Sequence, residues 1–229
     1  MQADELLAKY AKGERNFQQA KLSGIDLKGA NLSGINLQNA DLTGAELNEV
    51  NLSNVYLDSA NFSRASLVGA NLSGVQGSSL NLSLAELSGT NLSRANLNSA
   101  NLSNANLDNA NLSDAQLISV NLTRASLSDA NLARANLKSA RLTGANLARA
   151  DLSRADLTGV NIQEANLQGV KLRGVNLPRY DLSGMNLAEA DLGAADLTGV
   201  KLRKASKRDK SRESGSARGK FDEGKFDWS

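Results

Sequence analysis

The chain has 229 residues, with 26 Lys and Arg against 24 Asp and Glu, a net charge of +2, and neither His nor Cys. That composition excludes disulfides, thiolate chemistry and the side chain that most often serves as general base or metal ligand. No apolar run reaches the length of about 18 residues that a membrane-spanning helix requires.

The N-terminus, Met1-Gln2-Ala3-Asp4-Glu5, lacks the basic and apolar make-up of a signal sequence. Asp4 reads as the N-cap of a short helix running to about Lys12. Leu6, Leu7 and Tyr10 would form its apolar face and Gly13 its stop. Residues 1–16 are therefore expected to be an N-terminal helical cap.

From Phe17 to Leu202, leucine recurs at every fifth residue. Of 38 such positions, Leu fills 34, Phe two (Phe17 and Phe62) and Ile one (Ile162), and only Gly77 breaks the series. Two residues earlier stands a small or β-branched residue, as at Ala20, Ala30, Ala40 and Val50. A unit reads small residue, Asn or Asp, Leu, Ser or Thr, then a variable corner residue. On an α-helix, residues five apart sit roughly 140° apart around the axis, so this period gives no apolar face. In a strand, residues two apart share a face, so Ala30 and Leu32 point together. Alternation survives into the next unit only if the chain turns a corner every five residues. Gly24, Gly34, Gly44 and Gly74 at the corner position suit such a turn, as do the Asn, Asp and Ser found there elsewhere. The result is a β-solenoid whose short sides stack about 4.8 Å apart.

These residues resemble the pentapeptide-repeat family. Ala30-Asn31-Leu32-Ser33-Gly34 matches its A-(D/N)-L-X-X unit, and the resemblance covers residues 17–204 in one register. It implies an all-β fold, a right-handed quadrilateral β-helix with four units per coil. The 38 positions then make about 9 coils, a rod on the order of 45 Å long. Its core is a thin ladder of Leu and Ala held by neighbour-to-neighbour stacking.

With four units per coil, residues twenty apart lie above one another. One surface carries Asn31, Asn51, Asn71, Asn91 and Asn111 in a line, and the opposite surface carries Ser23, Thr43, Ser63 and Ser83. Both read as structural ladders. A third side varies more: it holds Tyr56, Gln76-Gly77-Ser78, Ile118 and Pro178-Arg179-Tyr180. Gly77 leaves a Leu-sized gap, read as a bulge or repacked coil or else as a binding notch. Leu80 and Leu84 are candidates to refill or cover it, and Tyr180 is expected to swing outward. Arg94, Arg134, Arg154, Lys171 and Arg173 share one face, but Asp114, Asp151 and Asp191 interleave with them, so this reads as a solvated mixed-charge face.

After Lys204 the pattern dissolves. Residues 205–229 are polar and of mixed charge, the composition of a disordered segment, and end in aromatics at Phe221, Phe226 and Trp228. A fold-back cap, a partner-docking motif and a tail without a role are all open readings. Nine Asn-X-Ser/Thr triplets, from Asn31 to Asn121, would crowd stacked coils with glycans in a eukaryotic secretory route, so a bacterial, cytoplasmic setting is expected.

The functional expectation is a non-enzymatic rigid scaffold that binds another protein, with no cofactor and no nucleic-acid partner; the sequence leaves the oligomeric state open. The candidate protein-binding residues are Tyr56, Gln76, Gly77, Ser78, Ile118, Arg179, Tyr180, Phe221, Phe226 and Trp228. The resemblance offers one alternative, since some family members mimic DNA and bind the topoisomerase gyrase through an acidic surface. Residues 17–204 hold 16 basic and 16 acidic side chains, a poor imitation of a duplex.

Overall fold

The computed structural model describes residues 1–177 and 180–202. Helix α1 spans Ala3–Ala11. Its N-cap is Gln2 rather than the expected Asp4, and no side chain caps it. Asp4 and Glu5 instead lie in the first turn, where they favour the helix dipole. Leu6 is fully buried, but Leu7 is 37% exposed, so the inward face is narrower than the sequence suggested. Tyr10 completes it, donating its hydroxyl to Ser33 O at 2.8 Å under the Arg15 guanidinium. Gly13 ends the segment at φ +93, a left-handed conformation that favours glycine.

Beyond α1 the chain forms parallel bridges between residues twenty apart, from Asn16↔Asn36 to Asp181↔Lys201. Five-residue units and a twenty-residue repeat give four sides per coil. We call them side 1 (Phe17, Leu37, Leu57 and so on), side 2 (Leu22, Leu42, Phe62), side 3 (Leu27, Leu47, Leu67) and side 4 (Leu32, Leu52, Leu72). A side is too short to make a continuous strand, and each pairing is a single bridge.

One hydrogen-bond pattern recurs around the coil. The leucine N–H donates to the Asn/Asp carbonyl one coil on, as Leu22 N–H does to Asp41 O at 2.7 Å. The Asn/Asp N–H donates back to the small residue's carbonyl, as Asp41 N–H does to Ala20 O at 2.9 Å. Within a unit, Ile25 N–H closes the corner on Leu22 O at 3.1 Å. The corner residue takes positive φ, and not only where it is Gly: Leu84 stands at φ 61 and Arg94 at φ 56. Along most of the rod such a corner N–H bonds to the next coil, as Arg94 N–H does to Ser113 O at 2.9 Å. That fixed bond holds side chains in a region costing roughly 1 kcal/mol or more.

The small and leucine positions fill the interior. From Leu42 to Leu152 most are 0–1% exposed, and each buried Leu contributes roughly 2 kcal/mol. Thr90 is the one buried polar residue among those described. Its hydroxyl donates to Leu67 O at 2.8 Å.

Candidate protein-binding surface

Side 1 gathers five of the predicted residues in neighbouring coils. Tyr56 bridges to Gln76, which bridges to Asn96 and on to Gln116. The outer surface is thus a column of Asn36, Tyr56, Gln76, Asn96 and Gln116, beside a second column of Asp58, Ser78, Asn98 and Ile118. Most amide and carboxylate side chains of these columns are tied to the frame or to each other. Asp58 Oδ1 accepts from Ser78 N–H at 2.9 Å, and Asn98 Oδ1 accepts from Ile118 N–H at 2.9 Å. Asn96 Nδ2 donates to Gln76 Oε1 at 3.3 Å. Tyr56 interrupts this amide lattice with a ring that is 53% exposed. Gln76 is also exposed, while Ser78 and Ile118 are half-buried.

Gly77 is buried beneath this surface. The bridges on either side of Gln76 are regular, so the chain does not bulge there. A Cβ at Gly77 would meet Leu80 Cδ2 at 3.1 Å and Leu97 Cδ2 at 3.3 Å. Leu80, standing in a position that normally holds Ala, therefore fills the volume that Gly77 vacates. Leu84 does not cover the gap. It stands 47% exposed at the corner between sides 2 and 3.

Tyr180 stands where side 1 turns into side 2. It packs partly buried against the core instead of swinging outward. Its hydroxyl donates to Leu157 O and accepts from Val160 N–H at 3.0 Å, entering the corner one coil earlier. Burial pushes the phenol up from its ordinary value. Thr90 uses the same geometry, and the sequence held a signal for it: a polar residue in a position otherwise kept small. Arg179, Phe221, Phe226 and Trp228 lie outside the described residues, as does Pro178.

The other sides are more uniform or more charged. On side 4, Asn51 donates to Asn31 at 3.0 Å and Asn71 to Asn51 at 3.2 Å, and Asn51 Oδ1 also accepts from Ser53 N–H at 3.1 Å. Side 2 repeats the device from Asn61 to Asn121. The mixed-charge face is laced by pairs along the stack. Arg134 grips Asp114 through two bonds of 2.7 and 2.6 Å, and Arg149 grips Asp129 likewise. These guanidinium bonds hold both carboxyls below their usual range. An open groove of about 480 Å³ crosses this face between Arg134, Arg154 and Arg173. A second, of about 740 Å³, lies at the corner of sides 2 and 3, lined by Gln163, Glu164, Asp181 and Met185. Among the described residues every buried side-chain N or O atom has a partner, so no orphaned polar group marks a ligand site. No helix among them is long and apolar enough to cross a membrane.

The pentapeptide-repeats family model matches in eight copies spread over residues 16–203. Among solved structures, HetL from the cyanobacterium Nostoc sp. strain PCC 7120 is 36% identical, with 90% of this chain and 94% of that one covered and a TM-score of 0.59. HetL is a pentapeptide repeat protein involved in the regulation of heterocyst differentiation. A pentapeptide repeat protein of the Arabidopsis thaliana thylakoid lumen is 32% identical over 44% of this chain and 70% of that one, with a TM-score of 0.43. QnrB1, a plasmid-mediated fluoroquinolone resistance protein, is 23% identical over 71% of this chain and 82% of that one, with a TM-score of 0.44. No curated protein matches the chain.

Proposed function

The chain belongs to the pentapeptide-repeat family, and from that premise we propose a non-enzymatic rigid rod that binds a protein partner along side 1. The rod has about nine right-handed coils and is closed at its N-terminal end by α1. The observation that carries this reading is Tyr56: a half-exposed aromatic ring set in a flat, hydrogen-bonded amide lattice. A rigid aromatic anchor ringed by fixed polar groups is the composition of a protein-binding hot spot. Preorganisation of the lattice lowers the entropy lost on docking. HetL's involvement in regulation is compatible with a binding role of this kind. We place the rod in the cytoplasm, since nine glycosylation triplets would crowd its coils in a eukaryotic secretory route.

The test is affinity capture with the full chain as bait, comparing Tyr56→Ala and Gln76→Ala with Ser73→Ala and Ser93→Ala on side 4. Captured protein should drop about tenfold or more for Tyr56→Ala, an anchor-sized loss, and persist for the side 4 variants. Equal capture by all four would remove side 1 as the docking surface. The topoisomerase alternative is checked in parallel: the rod should leave gyrase supercoiling unchanged, because its acidic groups are neutralised along the stack by Arg134, Arg149 and Lys138.

A further inference from the structure

The two ends of the rod differ. The first is overlaid by α1, and Leu6 there is fully buried. At the other end, Leu192 and Leu197 are the only described leucine positions that fall short of burial. Their backbone also lacks partners among the described residues. One coil earlier, Leu172 N–H donates to Asp191 O at 2.8 Å and Leu177 N–H to Asp196 O at 2.9 Å. Asp191 and Asp196 N–H in turn reach Val170 and Val175 O, both at 2.9 Å. The equivalent groups one coil on, the N–H of Leu192 and Leu197 and the carbonyls of Ala190 and Ala195, have no partner among the described residues. Among the described residues, two adjacent sides thus end in partly exposed leucines and an unpaired ladder edge, the kind of end that solenoids cover.

The sequence past the described residues holds a matching pair of units. Gly219-Lys220-Phe221-Asp222-Glu223 and Gly224-Lys225-Phe226-Asp227-Trp228 repeat at the rod's own period of five. Each has a small residue, then Lys, then Phe, in the order of a repeat unit. Lys171 and Lys201 already occupy the Asn/Asp position, and Phe62, fully buried, occupies a leucine position. We propose that Gly219–Trp228 docks in register on this open end, Phe221 over Leu192 and Phe226 over Leu197.

Charge selects that register. It sets Lys220 above Asp191 and Lys225 above Asp196. The first column then alternates as Asp151, Lys171, Asp191, Lys220, continuing a contact already made between Lys171 and Asp151 at 3.8 Å. Asp191 also meets Arg173 Nε at 3.7 Å, and its second oxygen accepts from Gly193 N–H. Moving one side forward would put Lys225 over Lys201, and moving one side back would put Lys220 over the neutral Asn186. Reach is ample. Residues 203–218 must cross a stretch that seven residues span in a regular coil, and extended they cover roughly 50 Å. Because α1 closes the opposite end, head-to-tail stacking of a second copy is the weaker way to cover this edge.

The chain has no cysteine, so paired substitutions can read the register directly. Stacked Cα atoms lie about 4.8 Å apart, within the range a disulfide bridges. Asp191→Cys with Lys220→Cys, and Asp196→Cys with Lys225→Cys, should close intramolecular disulfides at least about tenfold faster than the crossed pair Asp191→Cys with Lys225→Cys. In the otherwise unchanged chain, Phe221→Ala with Phe226→Ala should speed amide exchange at Leu192 and Leu197 about tenfold and leave the first coils unchanged. Equal rates for matched and crossed pairs, or no exchange difference, would overturn the proposal. So would disulfides formed between chains, which would assign the end to a second copy.

Discussion

Side 4 is built on one backbone from end to end, yet its outer column changes chemistry along the way. Asn91 N–H and Lys171 N–H reach the preceding coil at the same 2.9 Å. Above that common frame, Asn31 to Asn111 form a neutral ladder in which each amide from Asn51 on does two jobs. The oxygen accepts from the N–H two residues on, and the NH2 donates to the Asn one coil back. From Asp151 onward the column carries charges. A carboxylate keeps the first job, as Asp151 Oδ1 does with Ser153 N–H at 2.9 Å, but has no proton for the second. It therefore stacks with a cation, Lys171. The corner requires an acceptor, and the stack requires only complementarity, so two chemistries serve one fold.

The core beneath is common to both stretches, and the largest expected effect tests whether its volume is fixed. Gly77→Leu restores the regular residue, but Leu80 already occupies the space. The variant should lose about 2 kcal/mol by urea denaturation through overpacking. Adding Leu80→Ala should recover most of that loss, and no recovery would mean that Leu80 is not the filler. A smaller effect separates the two columns. Asn91→Asp removes the donor to Asn71 and sets a carboxylate against its oxygen, costing about 1 kcal/mol. Asp151→Asn should be close to neutral, and equal costs would break the distinction.

The smallest effect sharpens the charged stretch. Asp114 and Asp129 are held below the ordinary carboxylate range by Arg134 and Arg149. Their folded values are depressed, so their contribution is present above the unfolded carboxylate pKa and is lost as pH falls through the folded one. Acidifying from neutrality to about pH 3 should lower the melting temperature of the native chain more than that of Asp114→Asn with Asp129→Asn. Both carboxylates are solvent-exposed, so about 1 M salt should erase most of the difference. A gap that persists in high salt would point to a cause other than these pairs.

Several misreadings have one origin: competition between a local signal and a nonlocal contact. Asp4 looked like a cap, but the helix begins earlier, at Ala3, and Asp4 falls inside its first turn. Tyr180 looked too large for its position, yet a corner one coil earlier offered its hydroxyl two partners. Leu80 and Leu84 were equal candidates at Gly77 until the coil put one inside and the other on a distant corner. The five candidate residues from Tyr56 to Ile118 do share a side, because the period that placed them is also the period of the fold.

The sequence by itself determined the core, since leucine every fifth residue with a small residue two before admits only a chain that turns at each unit. The twenty-residue register, the positive φ at Arg94 and Leu84, the filling of Gly77 by Leu80 and the seat of Tyr180 were decided by tertiary structure. Each depends on what lies one coil away, and a residue's own neighbours in sequence carry no record of that stacking partner until the backbone bonds between coils fix it.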